Sequence, residues 1–195
     1  LTETWGEARV GDEFGFDLKN AGYDFMIIEG KAKKPCYIVI EDNSISIKEA
    51  KHLIGKSSSE KAENIIEELG EGYSVLSIGQ GGENEVLYSS IMINHRAVGR
   101  GGAGAVLGSK KLLAIAVKGN KEVSIKNKEK FMEAVRKTHQ KIKAHPDTKE
   151  FRKHGTTGDL GACDVSGDFP TKNWNSNSWG KGEELYDYFF ENNLN

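Results

Sequence analysis

The sequence predicts an α+β fold of mostly antiparallel or mixed β-sheet with crossover helices. Three observations carry that expectation: short apolar runs gather into hairpin-like clusters, a strongly amphipathic helical segment separates two such clusters, and only helical periodicity follows Lys121. A doubly wound parallel sheet would alternate strand and helix throughout, which this chain does not do.

In order along the chain, Tyr23 to Glu29 is rich in aromatic and aliphatic residues, ends at Gly30 and predicts a buried strand. Cys36 to Glu41 and Ser44 to Lys48 flank Asp42 and Asn43, and Ile45 and Ile47 alternate with polar neighbours, which predicts a hairpin with one solvated face. Ser57 and Glu60 have capping-box spacing, Ala62, Ile65, Ile66 and Leu69 recur at helical spacing, and Gly70 supplies a stop. Tyr73 to Ile78, Glu85 to Ile93 and Leu112 to Val117 predict further strands, separated by the glycine clusters Gly79 to Gly82 and Gly99 to Gly108.

Beyond Lys121, Phe131, Ala134, Val135, Thr138 and Ile142 mark one face of a basic helix that closes before His145 and Pro146. The rest, rich in Gly, Asn, Ser and aromatics, has a short helical pattern around Glu183 to Phe190 and reads as a linker and the start of a following unit. The expected division is therefore residues 1–120 and 121–195.

Composition narrows the function. With 195 residues and 37% hydrophobic content the chain can bury one substantial core. A net charge of −2 argues against a general binder of nucleic acid or anionic membrane, so any basic site must be local. Apolar runs fall far short of the roughly 20 residues that span a bilayer. The start at Leu1 shows neither an initiator methionine nor a leader, and the expectation is a piece of a larger protein. Cys36 and Cys163 are distant in sequence and lack C-x2-C partners, which fits a reducing cytoplasm and no metal–thiolate site in this segment.

The most informative stretch is Asn94 to Lys111. It sets Arg96 and Arg100 among Gly99, Gly101, Gly102, Gly104 and Gly108 without an acidic residue. Backbone bare of side chains can bring its N–H groups up to an anion, and guanidinium groups bind phosphate oxygens bidentately, so the expected ligand carries phosphate. The competing explanation is that small residues permit tight packing and the arginines are merely solvated. Gly79, Gly81 and Gly82 lack the spacing and following helix of a dinucleotide fingerprint and predict a hairpin turn. His52, His139, His145 and His154 show no metal-ligand spacing, and Cys163 has no paired base and reads as inert. Trp174 and Trp179 read as core or interface aromatics.

Gly15-Phe16-Asp17-Leu18-Lys19, Ala21-Gly22-Tyr23-Asp24, Glu29-Gly30-Lys31-Ala32 with Pro35, Ser77-Ile78-Gly79 with Gly82-Glu83-Asn84, and the run His95 to Lys110 follow one another in an order and spacing that resemble the amino-terminal domain of the aldehyde ferredoxin oxidoreductase family. The resemblance covers residues 1–120 and, more loosely, Gly155 to Trp174. It implies a domain that carries tungstopterin (or molybdopterin), with Mg²⁺ bridging the pterin phosphates, in an oxidoreductase for aldehydes or related carbonyl and carboxylate compounds. By resemblance Arg96, Ala97, Gly99 and Arg100 hold one side of the cofactor, Arg9 and Gly11 touch it from the other, and the main-chain carbonyls of Arg9 and Ala97 ligate Mg²⁺. The sequence departs from the family at Arg9, where asparagine is frequent, and at Asp12, where glycine is common.

The resemblance also implies a 4Fe–4S cluster whose cysteines follow Asn195, a further phosphate-binding arginine upstream of Leu1, and ferredoxin or another electron-transfer subunit as partner, with a homodimer allowed and neither nucleic acid nor membrane involved. This segment by itself is then expected to be inactive. A non-catalytic phosphate- or nucleotide-binding module remains the alternative.

Overall fold

The computed structural model describes residues 5–185, in two compact units that divide between Ser124 and Ile125. The first unit is a mixed sheet with helices, as the sequence predicts. Its elements are α1 (Phe14–Asn20), β1 (Cys36–Glu41), β2 (Ser44–Glu49), α2 (Ser58–Leu69), β3 (Ser74–Ile78), α3 (Gln80–Glu83), β4 (Ile91–Ile93), β5 (Arg96–Val98), α4 (Ala103–Ser109) and β6 (Leu112–Lys118). The strands lie in the order β2-β1-β6-β3-β4-β5, and β1 with β6 is the parallel pair.

Central placement explains the composition of β6. Flanked by β1 and β3, its Leu112 to Val117 are all buried, which is why it reads as an unbroken apolar run. The two faces are covered by different helices. Ser74 and Ser77 on β3 are three residues apart and so point to opposite faces. Ser74 Oγ donates to Asp17 on α1, while Ser77 Oγ donates to the Ser58 carbonyl at the start of α2. Ser57 caps α2 through the expected box, accepting from Glu60 N–H at 3.2 Å and donating its own N–H to Glu60 at 2.7 Å. Gly70 ends the helix at φ 94°, where a Cβ would be strained.

Several expectations are revised. Tyr23 to Glu29 joins no ladder: both edges of β1 are already paired, and the segment instead packs Tyr23, Met26 and Ile28 on the core while Phe25 and Ile27 stay 74% exposed. The Glu85 to Ile93 strand shrinks to Ile91–Ile93, because Glu85 is left-handed (φ 55°) and Val86 N–H turns back to the Gly81 carbonyl. The Gly79 to Gly82 turn holds the single helical turn α3, and the second glycine cluster holds α4, whose small residues hid its helical period. The β1–β2 hairpin forms as predicted, but β2 is an edge strand, and Ile45 and Ile47 are both exposed.

The second unit begins with α5 (Lys128–Ala144), capped by the Asn127 side chain on Lys130 N–H at 2.9 Å and ended at His145 as predicted. Then come α6 (Pro146–His154), with proline in its first turn, a 3₁₀ turn over Gly155–Asp159, and α7 (Leu160–Ser166). Asp164 of α7 is nearly buried and organises the chain after it. Its carboxylate accepts from Ser178 Oγ at 2.7 Å and from the N–H groups of Trp179, Gly180 and Gly182 at 2.5, 3.0 and 2.8 Å. These donors, the Ser178 hydroxyl foremost, hold the carboxyl well below the usual range. The helical pattern around Glu183 to Phe190 lies largely outside the described residues. Cys36 and Cys163 are free thiols. Among the described residues no helix is long and apolar enough to cross a membrane.

Candidate functional site

The outermost strand builds the site. β4 and β5 form a hairpin whose turn at Asn94 is left-handed (φ 46°), and β5 delivers the chain into Gly99 to Gly102 before α4 begins. The extended segment before α1 lies across this loop, with a Cβ built on Gly6 only 3.7 Å from the Gly101 Cα. Between them opens a cleft of about 650 Å³ lined by Glu7, Ala8, Arg9, Ala97, Gly99 and Arg100.

Four of the six sequence-predicted residues, Arg9, Ala97, Gly99 and Arg100, therefore meet in one cleft although they come from opposite ends of the unit. Gly11 and Arg96 do not line it. Arg96 sits exposed on β5 beside Ala97, and Gly11 faces open space. Asp12, a repulsive neighbour for any phosphate, is turned aside: its Oδ1 accepts from Glu13 N–H at 2.7 Å and from Asn94 Nδ2 at 3.0 Å. That bond also ties the segment to the β4–β5 turn.

The charges in the cleft are open to solvent. Arg9 Nε donates to Glu7 Oε1 at 2.7 Å, with side chains 90% and 55% exposed, so this pair holds weakly. Among the described residues no carboxylate lies within ion-pair distance of Arg96 or Arg100. No acceptor among them meets the N–H groups of Gly99, Arg100 or Gly101. Free N–H donors beside guanidinium groups are suited to anionic oxygens.

The glycines divide into two roles. At Gly99 the nearest atom to an added Cβ is 3.9 Å away, so that position keeps the cleft clear. At Gly108 a Cβ would sit 1.8 Å from the Gly82 carbonyl oxygen, and at Gly104 2.6 Å from that of Ser90. Those two let α4 lie directly on α3 and on the chain before β4, and they answer to packing rather than to a ligand.

Beneath α3 lies a fully buried lysine. Lys61 Nζ donates to the Lys56 and Ile78 carbonyls at 2.7 and 2.8 Å and to Glu83 Oε1 at 2.5 Å, while Glu83 accepts from Gly55 N–H at 3.1 Å. All three ammonium protons are satisfied, and α3 is thereby fixed to α2 and β3. The order runs from this pair through α3 and α4 to the Gly99 loop. Glu7 and Ala8 were not singled out from sequence. The one available signal was the Glu7-x-Arg9 spacing, which puts both side chains on one side of an extended segment.

A sheet whose edge strand feeds a bare-backbone loop, faced by an arginine-bearing segment, defines a domain of the α+β class with an open cleft at its sheet edge. The family model described as "Aldehyde ferredoxin oxidoreductase, N-terminal domain" matches residues 1–119, and the chain belongs to that family. Similar proteins include the tungsten-containing aldehyde ferredoxin oxidoreductases of Pyrococcus furiosus, 43% identical over 94% of this chain and 30% of the relative, and of Thermococcus kodakarensis, 44% identical over 86% and 28%. The aliphatic sulfonate oxidoreductase WOR-like subunit of P. furiosus is 32% identical over 94% of this chain and 31% of its own length. Among solved structures, the active-site complex BamBC of benzoyl coenzyme A reductase with 1,5-dienoyl-CoA matches at a TM-score of 0.65 and 38% identity, covering 67% of this chain and 20% of that one. The chain thus spans about 30% of the length of the curated relatives it matches.

Proposed function

We propose that this chain is the cofactor platform of a tungsten (or molybdenum) pterin oxidoreductase. The observation that carries it is the cleft in which Arg9 and Arg100 converge on the open Gly99 backbone. Its residues fit a phosphate-bearing cofactor: the guanidinium groups offset charge, the N–H groups of Gly99 to Gly101, unmet among the described residues, donate to phosphate oxygens, and the absent Gly99 side chain leaves room for them. The carbonyls of Arg9 and Ala97 are hard-oxygen ligands suited to the Mg²⁺ that accompanies such phosphates. Arg96, one residue outside the cleft wall, adds positive potential, and Gly11 leaves the approach from the amino-terminal side unobstructed.

When bound, the metal–pterin supplies two-electron redox chemistry, and the protein supplies orientation and charge compensation. In the whole protein that chemistry acts on aldehydes or related carbonyl and carboxylate compounds, with electrons leaving through a 4Fe–4S cluster outside this chain to ferredoxin or a similar subunit. The family membership and the names of the relatives support this assignment. A reducing cytoplasm suits the two free thiols.

The test is metal analysis of the full-length protein purified without oxygen. About one tungsten or molybdenum per polypeptide is expected, and its absence refutes the proposal. Arg100→Ala is expected to lower metal retention and to weaken inorganic pyrophosphate binding by the cofactor-free protein about tenfold, the weight of one charge-assisted hydrogen bond.

A further inference from the structure

We infer that Glu7 makes this cleft selective for a divalent-cation complex of a diphosphate over the free anion, an inference that rests on the cleft's being a phosphate site. Glu7 is the acidic side chain lining a cavity otherwise furnished with Arg9, Arg100 and bare backbone. Its carboxylate is engaged by Arg9 at 2.7 Å and remains half in solvent, so it is free to exchange partners.

Charge balance sets the preference. While Glu7 holds Arg9, the cation lining the cleft that has no carboxylate partner among the described residues is Arg100, and one guanidinium cannot balance a diphosphate carrying several negative charges. A bare diphosphate entering between them would also meet the Glu7 carboxylate, and like charges at close range in a partly enclosed site repel. A carboxylate is a liability in a simple anion site. Beside a phosphate it becomes an asset once a divalent cation lies between the two, and Mg²⁺ is commonly held by one or two carboxylates together with ligand phosphates. Glu7 is then the anionic oxygen ligand on the wall, and Arg9, released from it, turns to the phosphate.

Glu7 and Asp12 thus have different fates. Asp12 is held by the Glu13 N–H and the Asn94 side chain and lies outside the cleft lining, whereas Glu7 is in the lining and, among the described residues, pairs with the exposed Arg9. Of Glu7, Asp12 and Glu13 on this segment, Glu7 is the one that lines the cavity and so is the one able to meet a cation.

The experiment titrates the cofactor-free full-length protein calorimetrically with inorganic pyrophosphate, in a chelator and again in excess Mg²⁺, for wild type, Glu7→Gln and Arg100→Ala. Wild type is expected to favour the Mg²⁺ form. Glu7→Gln is expected to bind free pyrophosphate up to about fivefold more tightly, because Arg9 is released from an exposed ion pair. The same variant is expected to bind the Mg²⁺ complex more weakly, so that the preference falls about tenfold or more. An unchanged preference in Glu7→Gln overturns the inference while leaving the phosphate site standing, as does equal tightening of both forms, which would make Glu7 a mere competitor for Arg9. If wild type binds pyrophosphate under neither condition, the phosphate site and the inference fall together. Glu7 is exposed, so the variant is expected to fold normally, which circular dichroism checks.

Discussion

Substituting Gly108 with alanine isolates the packing that underlies the cleft. The added methyl would lie 1.8 Å from the Gly82 carbonyl oxygen and 2.7 Å from its carbon, both backbone atoms that cannot swing away. Restoring ordinary contact requires α3 and α4 to part by about 1.5 Å, and overpacking of this kind costs about 3 kcal/mol. Part of the displacement is expected to reach the Gly99 loop, since α4 follows it directly, and with it the affinity for pyrophosphate. The control is Gly99→Ala, whose new methyl finds its nearest neighbour 3.9 Å away and is expected to change stability by less than about 0.5 kcal/mol while still obstructing the anion. Urea unfolding followed by circular dichroism reads the first quantity and calorimetric titration the second. If Gly108→Ala unfolds within about 0.5 kcal/mol of wild type, or Gly99→Ala is the more destabilising of the two, the division of the glycines into packing and clearance is wrong.

The buried ion pair gives a second prediction: Lys61→Met strands the Glu83 carboxylate and is expected to cost about 3–5 kcal/mol, whereas the double variant Lys61→Met with Glu83→Leu recovers most of that loss in the same denaturation assay. Acid sensitivity is expected in both units. In the first, burial pushes Glu68 up, but the Tyr37 hydroxyl and Lys48 outweigh it and hold the group below its ordinary value, so its contribution is present above about pH 4.5 and is lost as the pH falls through its lowered folded-state value. Asp164 is likewise depressed, so its support for the Ser178 to Gly182 loop is fully present above about pH 4 and fades only at still lower pH. Hydrogen exchange of the Trp179, Gly180 and Gly182 amides across that range is expected to show protection persisting below pH 4, and early loss would contradict the assignment.

The sequence made the regular elements plain and the irregular ones obscure. α2 declares itself through Ser57, Glu60, four apolar positions at helical spacing and a terminal glycine, each acting locally. β6 declares itself because a central strand buried on both faces needs no polar alternation. Tyr23 to Glu29 misleads because its apolar content satisfies the core by lying against it, and no local signal distinguishes that from pairing. α4 is hidden because Gly104 and Gly108 were chosen for their neighbours on α3 and before β4, which the linear sequence does not reveal. The cleft residues were legible from the resemblance in type and order. Arg96 and Gly11 fall just outside the cleft lining, since which side chains of a three-residue strand and a loop face inward depends on the hairpin's turn at Asn94.

The cleft also bears on how this domain is made. Its two walls, at Arg9 and at Ala97 to Arg100, lie about ninety residues apart in sequence, so they meet only after almost the whole first unit has been laid down and its sheet ordered. During synthesis nothing resembling the cleft exists until β5 has docked at the far edge. A cofactor seated there would then act as a clasp on the chain, binding the finished sheet and not its precursors, and its insertion would shift the folding equilibrium by mass action in favour of the completed domain.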